Sequence, residues 1–184
     1  MDAEQRLIDE LRAHALVLGE VVLTSGRTAQ YYVDAKRAIL LPAGFAALGT
    51  LVAHHAQAWG ATAVGGLTMG ADPVACAALA GGFRGKAFFV RKEAKAHGLS
   101  RRVEGPELTA QDRCVVLEDV VSTGGSTVQA IEALRAEGRE VVGIISVLDR
   151  LSGGAEAITA AAGGAPYVAL TTIDDVYPER PDRP

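Results

Sequence analysis

The stretch Val115-Val116-Leu117-Glu118-Asp119-Val120-Val121-Ser122-Thr123-Gly124-Gly125-Ser126-Thr127 constrains this chain most. It opens as an apolar, β-branched run of the kind that fits a strand buried on both faces. Two adjacent carboxylates follow, then a small turn rich in hydroxyls and glycine. Beyond the turn, Val128, Ile131 and Leu134 recur at helical spacing, and Gly138 supplies a C-terminal stop. A strand, a glycine turn and a helix in that order make a phosphate site. The glycines admit an anion close to the backbone, amide N–H groups point into the turn, and the helix N-terminus adds positive potential.

Glu118 and Asp119 narrow the ligand. At the lip of a simple phosphate site they would repel it. They fit a ligand that also carries hydroxyls to be held, or a cation that offsets the charge, and a ribose 5-phosphate with Mg²⁺ nearby meets both conditions. No Lys follows the glycines, so the motif is not a Walker A loop, and it lacks the G-x-G-x-x-G spacing. Absence of G-x-S-x-G and H-E-x-x-H removes the commonest hydrolase signatures.

The rest of the chain reads as strands alternating with helices. Leu7, Ile8, Leu11, Ala15 and Leu18 predict a first amphipathic helix ending near Gly19. Val21-Val22-Leu23 and Tyr31-Tyr32-Val33 flank the turn Thr24-Ser25-Gly26-Arg27 and predict a hairpin before the main sheet. Pro42 opens a second helix with Phe45, Leu48, Val52 and Trp59 near one face. Ala63-Val64 reads as a strand, Gly65 to Gly70 as a glycine loop, and Asp72 as the cap of a helix with Pro73 in its first turn. Strands are expected at Lys86 to Val90, Val141 to Leu148 and Tyr167 to Leu170, with a helix near Ala155 to Ala162. Such alternation predicts an α/β fold, a central, mainly parallel sheet with helices on both faces. Ligands of such sheets bind beyond the carboxyl ends of the strands. We expect one domain over residues 1–176, with a small N-terminal hood over about 1–40, and a loosely ordered tail over 177–184.

Composition excludes several partners. A net charge of −4, from 18 basic and 22 acidic residues, leaves no basic excess for nucleic acid. Cys76 and Cys114 lie in apolar surroundings without metal spacing, which predicts buried, reduced thiols of a cytosolic protein. The acidic start Met1-Asp2-Ala3-Glu4 is unlike a signal peptide, and no apolar run approaches a membrane span. His14, His54 and His55 have no partner spacing, and Asp174-Asp175 reads as a polar turn rather than a metal pair.

Positive charge is concentrated at Arg91, Lys92 and Lys95, within Val90-Arg91-Lys92-Glu93-Ala94-Lys95-Ala96-His97-Gly98. The polar, aperiodic run on to Pro106 reads as a mobile flap. A cationic flap suits a polyanion such as pyrophosphate, whose developing charge it would screen.

The central stretch resembles the motif by which type I phosphoribosyltransferases hold phosphoribosyl pyrophosphate (PRPP). Three further segments resemble the orotate phosphoribosyltransferase family within that group. They are the flap Arg-Lys-x-x-Lys-x-His-Gly, Ser25-Gly26-Arg27 followed by Tyr31-Tyr32-Val33-Asp34, and Leu148-Asp149-Arg150. The resemblance covers about residues 19 to 165. It implies the type I phosphoribosyltransferase fold, Mg²⁺ carried mainly through PRPP with no protein-held metal, and a cytoplasmic homodimer in pyrimidine synthesis. It further implies that Arg91, Lys92, Lys95 and His97 bind the pyrophosphate of PRPP, with Lys92 serving the neighbouring subunit's site. Glu118, Asp119, Val120, Val121, Ser122, Thr123, Gly124, Gly125 and Ser126 would hold the ribose 5-phosphate. Gly66 to Gly70 corresponds to the family's pyrophosphate loop. Ser122 and Arg150 would contact orotate, Arg150 through the carboxylate, and Lys95, His97, Glu118 and Asp119 form the catalytic set. Thr24 and Met69 stand where many members carry Lys, which implies either weaker PRPP binding or a shift of that work to Arg27, Lys36 or Arg37. The alternatives are a purine phosphoribosyltransferase, against which the flap and Arg150 argue, and a PRPP-sensing regulator that binds nucleic acid, against which the acidic charge argues.

Overall fold

The computed structural model describes residues 2–22, 28–93 and 102–183. Helix α1 (Ala3–His14) starts because the Asp2 carboxylate accepts from the Gln5 amide at 2.9 Å, and it buries Leu7 and Leu11. It stops at His14 rather than near Gly19. Leu16-Val17-Leu18 instead begins strand β1 (Leu16–Val22), which pairs antiparallel with β2 (Thr28–Val33). Leu18, assigned to the helix from its spacing, faces solvent on that ribbon. Cross-strand pairing with Tyr31 outweighed a local pattern that fitted either element. The turn at residues 23–27 lies outside the described residues.

Short helix α2 (Lys36–Ile39) leads into α3 (Pro42–Ala58), which has Pro42 at its start as expected. The core alternation follows: β3 (Ala63–Leu67), α4 (Ala71–Ala80), β4 (Lys86–Val90), β5 (Val103–Glu104), β6 (Arg113–Val121), α5 (Gly125–Ala136), β7 (Glu140–Asp149), α6 (Gly154–Ala162), β8 (Tyr167–Thr172) and α7 (Ile173–Val176). The six strands β3 to β8 lie in the order β5-β4-β3-β6-β7-β8, and all pairings are parallel except β4 with β5. Two corrections follow. Gly65 and Gly66 are not loop but strand, paired with Phe88 and Phe89 of β4, and they pack so closely that a Cβ at either would stand 2.0 Å from the carbonyl of a neighbouring strand. Val103 and Glu104, inside the run read as aperiodic, add an antiparallel edge strand.

The sheet is buried on both faces. Val115 and Leu117 of β6 join Leu48, Val52 and Val74 of α3 and α4, while Cys114 and Val116 join Ile131 and Leu134 of α5 and Ile158 of α6. Period-two alternation through an all-apolar run thus feeds two cores. Removing one fully buried side chain such as Leu117 would cost about 2–5 kcal/mol. Cys114 is buried, which pushes its thiol up to about 12, but Cys76 is exposed on α4, contrary to the expectation of two buried thiols.

Strand order runs outward in both directions from the β3–β6 pair, so the crevice at the carboxyl ends of these two strands is the topological switch point. Against the expectation of a loose tail, residues beyond α7 fold back: the Arg180 side chain is buried and ion-pairs with Asp174 and Asp182. Asp174-Asp175, read as a polar turn, belongs to α7, where Thr172 and Asp175 form a reciprocal cap.

Candidate active site

A cavity of about 380 Å³ opens at the switch point. Glu118, Asp119, Val120, Ser122 and Ser126 line it from β6 and the following turn, Leu67 to Gly70 from the end of β3, Lys92 from the end of β4, and Arg150 from the end of β7. Tyr32, Val33 and Lys36 close it from the N-terminal side.

The turn after β6 is shaped for an anion. Gly124 sits at φ +80° before the first residue of α5, a conformation that disfavours other residues. A Cβ there would also meet the Gly154 carbonyl at 2.8 Å. No side chain caps α5, so its first amides are left for a ligand. Val121, Thr123, Gly124 and Gly125 build this turn without lining the cavity.

The acidic pair is divided by its surroundings. Glu118 is buried, its carboxylate accepting from Thr127 Oγ1 at 3.2 Å and from the Asp119 amide at 3.3 Å. Burial first, and the adjacent Asp119 carboxylate second, push its carboxyl well above the usual range. Asp119 Oδ1 accepts from the Val120 amide at 2.9 Å, and Oδ2 faces Lys36 Nζ at 3.2 Å. Lys36 Nζ also pairs with Asp34 at 2.8 Å. Burial works against the Lys36 charge, but these two carboxylates outweigh it and raise its pKa.

The loop after β3 approaches closely. A Cβ at Gly70 would stand 2.3 Å from Asp119 Oδ1, so only glycine lets the loop reach the acidic pair. The Thr68–Met69 peptide is cis, and Met69 is 72% exposed at the cavity mouth. Asp72 does not cap α4 as expected; it lies inside the first turn and accepts from Thr68 Oγ1 at 2.6 Å.

Of the remaining expected residues, Lys92 lines the cavity of its own chain and an adjoining cleft. Arg91 lines only that cleft, where it pairs with Glu104 at 3.6 Å. Its backbone exchanges hydrogen bonds with Arg102, closing the base of the flap. Lys95 and His97 lie outside the described residues. Arg150 is not paired with Asp149, whose carboxylate instead accepts from the Leu151 amide at 2.7 Å and the Tyr167 hydroxyl at 2.8 Å. Leu151 takes a left-handed φ of 56° in this turn. Leu67, Thr68, Met69 and Gly70 fall in the stretch expected as the pyrophosphate loop, whereas Tyr32 and Val33 were not among the expected site residues. The spacing Asp34-x-Lys36, one turn beyond the tyrosine pair, was the available signal for the N-terminal wall.

Residues 40–162 match the phosphoribosyl transferase domain family. The chain is 45% identical over 177 residues to an orotate phosphoribosyltransferase of Corynebacterium glutamicum, covering 96% of this chain and 95% of that protein. Among solved structures, the orotate phosphoribosyltransferase of Mycobacterium tuberculosis in complex with Fe(III) dicitrate superposes with a TM-score of 0.85 at 43% identity, covering 95% of this chain and 99% of that one. The same enzyme in complex with PRPP gives 0.80 at 38% identity, covering 95% and 98%. With an acidic pair beside a glycine turn, an arginine at the end of the neighbouring strand and this likeness along nearly its whole length, the chain belongs to the orotate phosphoribosyltransferases.

Proposed function

We propose that this cavity transfers the 5-phosphoribosyl group of PRPP to a ring nitrogen of orotate, giving orotidine 5′-monophosphate and pyrophosphate. One observation carries the reading. The anion turn with its acidic pair, Lys92 and Arg150 line a single cavity from three different strands.

The residues divide the substrate by chemistry. The amides of Ser122 to Ser126 and the start of α5 take the 5-phosphate. Asp119 and Glu118, beside them, accept from the ribose hydroxyls. The Thr68–Gly70 loop and the cationic flap of Arg91, Lys92, Lys95 and His97 take the pyrophosphate. Arg150 meets the orotate carboxylate, an anion that a fork of N–H donors fits, and Ser122 contacts the ring. The C1–oxygen bond to pyrophosphate breaks as the nitrogen–C1 bond forms, and C1 passes through an oxocarbenium-like state. Orotate can arrive anionic at that nitrogen, so no strong protein base is required. Catalysis then rests on positioning and charge stabilisation, with flap closure keeping water from PRPP.

Mg²⁺ fits this donor set. The cavity offers carboxylate oxygens at Asp119 and Glu118, which suit a hard cation, while Lys36 already neutralises one Asp119 oxygen. Asp119 and Glu118 would be the protein oxygens nearest such an ion, and Mg²⁺ brought in with PRPP would supply screening of the charge on the departing pyrophosphate. We further infer a homodimer in which the partner's flap reaches over this rim, and a cytoplasmic enzyme. No helix among the described residues is long and apolar enough to cross a membrane.

Loss of orotate absorbance on adding PRPP and Mg²⁺ tests the reading. Orotate should be consumed with release of pyrophosphate, and adenine, guanine and hypoxanthine should not. Turnover of a purine without turnover of orotate would replace this reading with the purine alternative.

A further inference from the structure

Arg150 stands in the wall between two cavities. One is the substrate cavity; the other, of about 400 Å³, is lined by Thr28 to Tyr31 of β2 and by Pro181 and Asp182 of the C-terminal tail. Its guanidinium carbon lies 5.3 Å from the centroid of the Tyr31 ring, within reach of a cation–π contact. Its Nε is buried with no hydrogen-bond partner among the described residues. The Tyr31 ring, whose hydroxyl also feels the Arg150 charge, is the contact that gives this side chain its direction.

That ring is itself fixed from the tail. Tyr31 is only 3% exposed, and its hydroxyl donates to the Asp182 carboxylate, 3.0 Å from each oxygen. Its edge meets the Tyr177 ring, with centroids 5.3 Å apart and planes at 85°. Asp182 is held in turn by Arg180 Nε at 3.2 Å, and the buried Arg180 pairs with Asp174 of α7. An unbroken series of polar and ring contacts thus runs from α7 through Arg180, Asp182 and Tyr31 to Arg150. Neither Tyr31 nor Asp182 lines the substrate cavity.

We propose that Tyr31 and Asp182 are positioning residues for Arg150, so that the C-terminal tail sets the affinity for the orotate carboxylate from outside the site. The inference rests on the reading of Arg150 given above. Asp182 fixes the rotation of the tyrosine ring, and the ring holds the guanidinium in the plane that a carboxylate meets with two donors. The effect falls on orotate alone, because the PRPP-holding turn follows a different strand, β6.

Steady-state kinetics on full-length variants test this. In Tyr31→Phe the ring remains and the hydroxyl is lost; in Asp182→Ala the acceptor is lost. Each should raise the orotate KM roughly three- to tenfold, less than the loss of a direct hydrogen bond to a charged group because the effect reaches orotate only through Arg150, with the PRPP KM within about twofold of wild type. The double variant should be no worse than the poorer single, since both act through one contact series. Asp182→Asn, which still accepts from the hydroxyl, should recover most of the loss. Arg150→Ala separates the two layers of the argument. If it raises the orotate KM while Tyr31→Phe and Asp182→Ala do not, the positioning role is wrong and the reading of Arg150 stands. If it leaves the orotate KM unchanged, both fail. A parallel rise of the orotate and PRPP KM values in Tyr31→Phe would make the tail contact structural and overturn the inference. Tyr31→Phe keeps the buried ring, so it decides the matter even where Asp182→Ala unfolds.

Discussion

Lys36 Nζ lies 3.2 Å from Asp119 Oδ2 and 2.8 Å from Asp34 Oδ1, tying the N-terminal wall of the cavity to the acidic pair. Of Arg27, Lys36 and Arg37, the cations expected to take over work from Thr24 and Met69, Lys36 lines the cavity. Lys36→Ala should raise the PRPP KM roughly three- to tenfold, a modest effect because its side chain is about one-third exposed and partly screened. Lys36→Arg should retain most affinity. A PRPP KM unchanged in Lys36→Ala would reduce the pair to a surface contact.

The flap prediction concerns Lys95, which lies outside the described residues. If it screens the leaving pyrophosphate, Lys95→Ala lowers kcat more than it raises the orotate KM. Wild-type turnover in that variant would remove the flap from catalysis.

Lys92 lines the cavity of its own chain, so its service to a neighbouring site depends on the partner's flap reaching the same rim. Mixed dimers of Lys92→Ala with Asp119→Ala subunits resolve this. A trans contribution restores one working site per mixed dimer, whereas activity no greater than that of residual homodimers would contradict the shared site.

Arg150→Ala removes the cation proposed to meet the orotate carboxylate from the end of β7. Loss of a charged hydrogen-bond pair costs about 1.5–3 kcal/mol, so the orotate KM should rise roughly 10- to 100-fold while PRPP binding by calorimetry stays near wild type. Equal weakening of both ligands would mark Arg150 as structural.

Glu118 makes a prediction about stability with an explicit sign. Its carboxyl is raised in the fold by burial and by Asp119, so the folded protein holds this proton more tightly than the unfolded chain. Its contribution to stability is therefore present at low pH and declines as pH rises from the ordinary carboxylate range through the raised folded value. Glu118→Gln removes that decline. At pH 8 the variant should melt higher by about 2–4 °C, for a gain on the order of 1 kcal/mol, and the difference should shrink at pH 5. Identical melting-temperature profiles would show that Glu118 is not strained by burial.

The residues that local chemistry dictates were legible in the chain. Glu118-Asp119, the glycine turn and α5 announce themselves because a phosphate turn needs those types in that order, and they fall where expected. What failed or was missed depends on distant partners. Leu18 continued a helical spacing but pairs across β1 and β2 with Tyr31. Val103 and Glu104 become a strand only because Phe89 and Val90 present an edge. Asp182 shows nothing in its own neighbourhood, since its partner Tyr31 is 151 residues away. Lys36 was named as one of three cations expected near the site, but its double engagement with Asp34 and Asp119 required the folded chain.

The central claim is that Glu118 and Asp119 hold the ribose hydroxyls of PRPP rather than merely border a phosphate turn. Isothermal titration of Asp119→Asn and Glu118→Gln, each folded, with Mg²⁺ and PRPP tests it most directly. Removing the charged Asp119 acceptor costs about 1.5–3 kcal/mol, so Asp119→Asn should bind roughly tenfold or more weakly and turn over more slowly. Glu118→Gln should also bind more weakly, with the loss growing as pH rises, because burial holds a proton on the wild-type carboxyl at lower pH. If the carboxylates only repelled the phosphate, neutralising them would relieve that repulsion; tighter PRPP binding with unchanged turnover in both variants would contradict the account.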